Sequence, residues 1–438
     1  MHDRSRRLDR RLSFRYFAYG SNMWLAQIRS RCPSARPIRT ARLEGWAAVY
    51  DKPSSDGSTI VNIRREPGAS VDGVVFELAD EDRTPLDAAE HGNTAISVVV
   101  EGVETLTYTY EGEPVAGPPF DWYQAIVDSG AAAFGVASPV PAQPPVPDPL
   151  AGSIRPAGRE NLDEIQRILS AGLRSGGDKY FIHPGDYGWW VFHDDPRYPD
   201  HFSTWLQDDD AVLTIDSREP REINVFSLPG IDPMPLVRWA QRRLGGAGEV
   251  GYVADRDTDF AAALRAEGYE PAYAFRSYEW DLEDDLPEPE LPGGWTVRAV
   301  RGEAEANTRR AASHAAFESK MPEAMHLQRY LDFMRSPVYE PERDLVAVDT
   351  EGRVGSFMIW WSDSSGIAQI EPFGTHPDSH RRGIGRALLY HGLGEMKRAG
   401  MHLARVCTDD DRLATAFYEG IGFRDVDRLR WWKQKHDE

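Results

Sequence analysis

The amino-acid sequence predicts a multidomain α/β protein, and three observations predict it. The chain has 438 residues, about three domains at roughly 150 residues each. Two proline-rich segments, 138–149 and 281–294, divide it into three modules. Strand-like stretches run through polar or glycine turns into helix-like stretches, which is how α/β units read in sequence. With 41% hydrophobic residues the chain can build several cores without a disulfide scaffold.

Composition excludes several classes of function. The chain carries 50 Lys+Arg against 70 Asp+Glu, a formal charge of −20, which argues against nucleic acid as a partner. Cys32 and Cys407 lie far apart, so neither a disulfide framework nor a cysteine zinc site is expected. No apolar run approaches the ~20 residues of a membrane helix. The first seventeen residues hold six arginines but no apolar signal stretch, and read as a disordered arm. A cytoplasmic enzyme with a small-molecule substrate, no membrane partner and no metal is the expectation.

The elements within each module follow in order. The segment 138–149 is a semi-rigid proline spacer, and 281–294 combines like charges with prolines as an acidic connector. The second and third modules look like weak copies. One opens Ser153-Ile154-Arg155-Pro156 and the other Thr296-Val297-Arg298-Ala299. Each ends in a helix, a Gly-aromatic turn (Gly268-Tyr269; Gly422-Phe423) and an aromatic, Arg-rich strand. This pattern suggests duplication.

The most informative stretch is 368–400. A strand over 368–375 leads into His376-Pro377-Asp378-Ser379, then Arg381-Arg382-Gly383-Ile384-Gly385, then a helix over 386–399 with Leu389, Leu393 and Met396 on its core face. Free N–H groups at a helix start favour an anion. Glycines let backbone approach phosphate, and flanking arginines add charge.

This stretch resembles motif A of the GCN5-related N-acetyltransferases (GNAT family), whose pattern is Arg/Gln-x-x-Gly-x-Gly/Ala. The later Ala416-Phe417-Tyr418-Glu419-Gly420-Ile421-Gly422-Phe423 resembles that family's closing motif. The resemblance covers about residues 295–433. It implies acetyl-coenzyme A as co-substrate, with its pyrophosphate on Arg381, Arg382, Gly383, Ile384, Gly385 and Arg386. Its pantetheine arm would lie along Phe373, Gly374 and Thr375. It further implies Glu371 as the base that deprotonates an amine acceptor, and Tyr418 as the group that returns a proton to the leaving thiolate. An ordinary strand carboxylate and a packing tyrosine are the bland alternatives.

The middle module lacks the cradle. A strand at 223–228 leads into Pro229-Gly230-Ile231-Asp232-Pro233-Met234-Pro235, whose prolines lack the N–H groups that hold phosphate. It resembles the non-catalytic half of tandem GNAT proteins. Its run 180–205 gathers Trp189, Trp190, Trp205, His183, His193, His201 and the acids Asp186, Asp194, Asp195 and Asp200. The spacing fits no common metal-ligand pattern. A large aromatic loop over the core or at a module interface is expected, with an aromatic acceptor pocket as the alternative.

In the first module a strand over 14–18 runs into Tyr19-Gly20-Ser21-Asn22 and a helix over 23–31, with Ser21 and Asn22 as capping candidates. Strands at 70–78 and 96–100 flank a short helix, 86–90. This arrangement, with Pro118-Pro119-Phe120-Asp121-Trp122-Tyr123 and 126–131 following, resembles the γ-glutamylcyclotransferase-like (AIG2-like) family over about residues 14–135. The resemblance implies a small β-barrel with flanking helices. It places Tyr19, Gly20, Ser21 and Asn22 on the substrate's α-carboxylate end, with Glu90 as acid/base. In the family glycine directly follows that glutamate; here His91 intervenes before Gly92.

The full expectation is a γ-glutamylcyclotransferase-like domain (14–136), a proline linker (137–152), a degenerate GNAT-like module (153–282), an acidic linker (283–294) and a GNAT acetyltransferase domain (295–436). The fused enzyme would acetylate a small amine from acetyl-CoA and release 5-oxoproline from γ-glutamyl amides. A cyclotransferase-like enzyme, or an acyl-CoA sensor, with non-catalytic GNAT modules is the alternative.

Overall fold

The computed structural model describes residues 13–54, 56–140, 144–193, 201–246, 248–409 and 412–435. The first twelve residues, the 141–143 part of the proline segment, and Asp194, Asp195 and Asp200 lie outside the described residues. The chain forms two compact units. One comprises Met1–Ala157, Tyr198–Asp208 and Ile215–Glu219. The other comprises Gly158–Arg197, Asp209–Thr214 and Pro220–Glu438.

The first unit is built on β1 (Ser13–Ala18), β2 (Arg36–Pro53), β3 (Thr59–Ala79), β4 (Thr94–Val100) and β5 (Val103–Thr109), in the order β2-β3-β1-β5-β4. Tyr16, Phe17 and Ala18 of β1 are all buried, as a central strand requires. β2 and β3 form a long antiparallel hairpin with three register shifts, each of which bends and twists the pair. The edge strands β2 and β4 come into contact, so the sheet curls toward a barrel. Helices α1 (Leu25–Arg31), α2 (Arg83–Ala89) and α3 (Asp121–Ala133) flank it, and β6 (Ile154–Ala157) pairs antiparallel with β7 (Phe202–Gln207). Gly130 of α3 sits where a Cβ would lie 2.6 Å from the Trp24 amide nitrogen. Only glycine lets α3 press this closely on the loop after β1.

The second unit holds both GNAT-like segments in one sheet. Its elements are α4 (Leu162–Ser175), α5 (Pro184–Phe192), β8 (Ala211–Asp216), β9 (Glu222–Ser227), α6 (Met234–Leu244), β10 (Glu249–Ala254), α7 (Thr258–Ala266), β11 (Tyr269–Asp281), β12 (Thr296–Ala299), α8 (Ala306–Ala316), α9 (Glu323–Met334), β13 (Asp344–Val348), β14 (Val354–Ser362), β15 (Ile367–Thr375), α10 (Ile384–Arg398), β16 (Leu403–Asp409), α11 (Arg412–Ile421) and β17 (Arg424–Gln434). Strand order is β12-β13-β14-β15-β16-β11-β17-β10-β9-β8.

This order exchanges the closing strands of the two copies. β11, which ends the middle segment, pairs with β16 from Phe275↔Asp409 to Asp281↔Leu403. β17, which ends the chain, pairs with β10 of the middle segment and with β11. The cores follow the strands. Trp280 packs with Leu388, Leu389, Leu393 and Met396 of α10, while Trp432 packs with Met234, Val237, Phe260 and Leu264. Removing such a tryptophan costs about 3–5 kcal/mol, so each half stabilises the other's core. The acidic segment after β11 has no regular element, but Leu282 is buried in the same core as Trp280.

The aromatic run corrects the sequence reading. Residues 184–192 are helix α5, not a loop. Its glycines hid it, and their reason is packing: a Cβ on Gly185 would overlap Trp361, and one on Gly188 would lie 3.0 Å from Val338. No helix among the described residues is long and apolar enough to cross a membrane.

Candidate active sites

In the first unit the loop after β1 and the end of α2 converge. Ser21–Met23 form a single 3-10 turn and Trp24, not Ser21 or Asn22, precedes α1; neither side chain caps a helix. They are used otherwise. Asn22, 3% exposed, donates Nδ2–H to Glu90 Oε1 at 2.8 Å and to the Tyr16 hydroxyl at 2.9 Å. The Tyr16 hydroxyl faces the same Glu90 oxygen at 3.4 Å, and Asn93 donates to Glu90 Oε2 at 2.6 Å. Arg31 Nη1 and Gln27 Nε2 donate to Asn22 Oδ1 at 2.7 and 3.4 Å, which fixes which end of the amide meets the carboxylate. Gln27 also holds the Ser21 hydroxyl at 2.6 Å.

Tyr19 is buried and ties its hydroxyl to the Tyr108 carbonyl at 2.8 Å, while Gly20 lies against Val61. Burial and then Glu90 raise the Tyr16 and Tyr19 hydroxyls well above the usual tyrosine range, so both stay neutral. The Tyr123 hydroxyl, pushed up to about 12 by burial, faces the Val61 amide at 3.3 Å. The extra residue His91 is absorbed in a tight turn: Asn93 N–H returns to the Glu90 carbonyl at 2.9 Å, and Gly92 takes φ +79°. The loop 19–22 and Glu90 therefore share one site, and Tyr16, Arg31 and Asn93 belong to it although the sequence did not single them out.

In the second unit α10 begins at Ile384 behind Gly383, which holds φ +77°, with Arg381 at φ +56° before it. The first N–H groups of this 15-residue helix have no intrahelical acceptor. A Cβ on Gly385 would lie 2.6 Å from Thr375 Oγ1. The residues therefore fit a phosphate ligand: an open helix start, a glycine cradle, and exposed Arg381, Arg382 and Arg386 around it. Gly374 is pressed on Phe357, and Phe373 stacks on Phe417 at 5.6 Å.

Glu371 lies where β15 shifts register against β14, between the pairs Met358↔Phe373 and Trp360↔Ile370. Its backbone carbonyl accepts the Trp361 indole N–H at 2.9 Å. Its carboxyl meets that of Asp186, from the third position of α5, which the His183 backbone N–H holds at 3.2 Å. Burial and then Glu371 push Asp186 well above the carboxylate range, so Asp186 is the protonated partner. Burial also raises Glu371, against the bond from Asp186. The buried Arg405 adds positive charge near Asp186 and is held by Gln369 Oε1 at 3.0 Å and the Phe181 carbonyl at 3.1 Å. Tyr252, at φ +56°, stacks on Tyr180 and also lies within the field of Glu371. Tyr418 is buried against Tyr278 and Phe423, and burial, then Cys407 and Glu371, raise its hydroxyl. Glu371, Tyr418 and the strand 373–375 are thus brought together. Asp186, Tyr180, Tyr252 and Arg405 were invisible as partners because three of them come from the other copy.

The histidines of the aromatic run have other work. His183 Nε2 faces the Ile367 carbonyl at 3.2 Å and Asp363 at 3.5 Å, and His193 stacks on Trp189 at 3.8 Å. His201 lies 3.7 Å from Asp216. Among the described residues no group of three His, Cys, Asp or Glu is placed to hold a metal.

The loop of the middle copy is closed to phosphate. Asp232 caps the Met234 amide at 3.0 Å, filling the helix start with a carboxylate. Lys179 Nζ donates to Ser227 Oγ and to the Leu228 and Ile231 carbonyls. Asp178, Asp257 and Asp259 line the same hollow, so its charge repels an anion.

These two sites define a cyclotransferase-like fold joined to a duplicated acetyltransferase fold. The family model "Gamma-glutamyl cyclotransferase, AIG2-like" matches residues 16–124, and "Acetyltransferase (GNAT) family" matches residues 308–423. A mycothiol acetyltransferase of Salinispora arenicola is 27% identical over 293 residues, 62% of this chain and 94% of that one. Human gamma-glutamylcyclotransferase is 32% identical over 142 residues, 28% of this chain and 73% of that one. A GCN5-related N-acetyltransferase from Sphaerobacter thermophilus has 19% identity and a TM-score of 0.47, covering 64% of this chain and 95% of that structure. The chain belongs to the AIG2-like γ-glutamyl cyclotransferase family through its N-terminal part, and its C-terminal part matches the GNAT acetyltransferase family.

Proposed function

We propose that the chain is a bifunctional enzyme: its C-terminal part acetylates a small amine from acetyl-CoA, and its N-terminal part releases 5-oxoproline from a γ-glutamyl amide. The observation that carries the first activity is the placement of Glu371 at the register shift of the strand that leads into the Gly383–Gly385 cradle, with Tyr418 of α11 within its field. When bound at Arg381–Arg386, acetyl-CoA supplies the acyl group as a thioester. Glu371 accepts the proton that an ammonium acceptor sheds as its nitrogen attacks. A carboxylate raised toward neutrality suits that task. Asp186, kept protonated, holds the Glu371 carboxylate in place. The neutral Tyr418 hydroxyl gives its proton to the thiolate that leaves.

The second activity rests on Glu90, held by Asn22, Asn93 and Tyr16. In a γ-glutamyl amide the substrate's own α-amine attacks the γ-carbonyl. The protein has only to take a proton from that ammonium and deliver one to the departing amine, and Glu90 does both. Backbone N–H groups at Ser21 and Asn22, at the start of a 3-10 turn, receive the α-carboxylate.

Calorimetric titration with acetyl-CoA tests the first activity. One site per chain is expected, and Glu371→Gln and Tyr418→Phe should keep binding while turnover on an accepted amine falls ~10²–10⁴-fold. No binding would sink the transferase reading. Chromatographic detection of 5-oxoproline from a panel of γ-glutamyl amines, with Glu90→Gln as control, tests the second. An equal yield from the variant would refute the role of Glu90.

A further inference from the structure

A cleft of about 330 Å³ opens beside Glu371 and Pro372, and its opposite wall is cationic. Arg309 and Arg310 are consecutive on α8 and nearly wholly buried, 2% and 5% exposed. Arg309 Nε pairs with buried Asp344 at 3.1 Å. Arg310 reaches Asn307 at 2.7 Å and the exposed Glu323 at 3.1 Å. Each still keeps a buried nitrogen without an acceptor, Arg309 Nη2 and Arg310 Nε. The Arg309 guanidinium lies over the Phe357 and Tyr330 rings at 4.0 and 5.4 Å, whereas Arg310 Nε is a buried donor that calls for an explanation. Arg329 of α9 lines the same wall, bonded to the His193 carbonyl. His326 stands among these guanidinium groups, and burial, then His314 and the three arginines, push it down to about 4. The wall therefore sets the guanidinium groups of Arg309, Arg310 and Arg329 in the same cleft as Glu371.

We propose that this wall receives an anionic group of the acceptor, and that the acetylated amine is an amino carboxylate, such as an amino acid or a short peptide acid. The inference rests on the acetyltransferase reading above and names its substrate class. Guanidinium groups match the planar, two-oxygen shape of a carboxylate. The flanking walls include Trp189 and Phe317, which suit an organic side chain better than further phosphate oxygens. The acceptor would then lie with its ammonium toward Glu371 and its carboxylate toward Arg310. Cleavage of a γ-glutamyl amino acid by the N-terminal site would release an acceptor of this class.

The test is steady-state acetylation by the full chain with acetyl-CoA. The panel pairs L-amino acids with their carboxamides and decarboxylated amines, beside phosphoethanolamine and glucosamine 6-phosphate. The carboxylates should exceed their carboxamides in kcat/KM by about tenfold or more, the scale of charge-assisted hydrogen bonds. Arg310→Gln should bring that ratio to within about threefold, and Arg310→Lys should retain more of it. Carboxamides or neutral amines that work equally well would overturn the inference, as would preference for a phosphorylated amine. So would an Arg310→Gln enzyme that keeps the wild-type ratio. If no amine turns over while acetyl-CoA still binds, the amino-carboxylate assignment falls. Failure of acetyl-CoA itself to bind would instead remove the acetyltransferase reading.

Discussion

Gly385→Ala separates the two demands made on the Gly383–Gly385 loop proposed to hold acetyl-CoA, because folding and binding respond to it differently. Gly385 is the second residue of α10. In a helix, alanine is favoured over glycine by about 1 kcal/mol. The new Cβ, however, would lie 2.6 Å from Thr375 Oγ1, 3.5 Å from the Phe373 ring and 3.7 Å from Ser356 Oγ. Thr375 Oγ1 already faces Ser356 Oγ at 3.1 Å, so the hydroxyl must turn or the start of α10 must move outward. Overpacking of this kind costs roughly 1–3 kcal/mol, leaving a net loss of about 0–2 kcal/mol. Affinity for acetyl-CoA carries no compensating gain. A displaced helix start loses aim on the pyrophosphate, and a rise in Kd of at least about tenfold is expected, equivalent to ~1.4 kcal/mol. Gly394→Ala is the control. It sits on the same helix, a Cβ there meets nothing within 4 Å, and it should stabilise by up to ~1 kcal/mol with unchanged binding. Urea unfolding and calorimetry on all three proteins make the assay. Wild-type affinity in a folded Gly385→Ala protein would refute the placement of the pyrophosphate.

Asp344→Asn should cost about 3–5 kcal/mol, because it leaves the buried Arg309 charge uncompensated while Tyr330 and Tyr339 lose an anionic acceptor; a urea midpoint unchanged from wild type would contradict this. His326 has a folded pKa of about 4, below the ordinary ~6.5, because burial and then His314, Arg329, Arg310 and Arg309 oppose its charge. The unfolded chain therefore binds a proton the folded one refuses, and stability falls as pH drops from about 6.5 toward 4. His326→Asn should flatten the fall in melting temperature between pH 7.5 and 5, and parallel curves would count against it. Asn22→Ala removes the shortest donor to Glu90 Oε1 and the acceptor of the Arg31 Nη1 bond; a ~10–100-fold loss of 5-oxoproline release is expected, and wild-type rates would show that Asn22 does not position Glu90.

What the sequence revealed was local. The cradle at 381–386 and its helix are one continuous segment, and the core spacing of Leu389, Leu393 and Met396 can be read directly; all three are fully buried. The Tyr19–Asn22 loop and Glu90 were each legible for the same reason. The family resemblance assigned both to one site, but the bond between them was not legible: Asn22, read as a helix cap and a substrate contact, donates to a carboxylate 68 residues away. The duplicated endings were visible as Gly-aromatic turns, but nothing in the pattern said that the strands would trade places. Asp186, Tyr180 and Tyr252 accordingly reach Glu371 from the other copy, and nothing in the sequence pattern marks Arg309 and Arg310 as buried. Their burial depends on Asp344, Tyr330 and Phe357, which tertiary packing brings together.

The strand exchange also gives the middle segment a structural role that does not depend on holding phosphate. Without the middle segment, β16 would lose β11 as its partner and β17 would lose both of its neighbours. The core around α10 would lose Tyr278 and Trp280. The site would lose Asp186, whose carboxyl shares the field of Glu371, and Tyr180, whose ring lies under the Arg405 guanidinium at 4.9 Å. The Asp232 carboxylate and the Lys179 plug fill the redundant cradle, and that change leaves every one of these contacts intact. A closed second cradle is thus compatible with an intact second half, and only removal of that half would dismantle the Asp186–Glu371 pair.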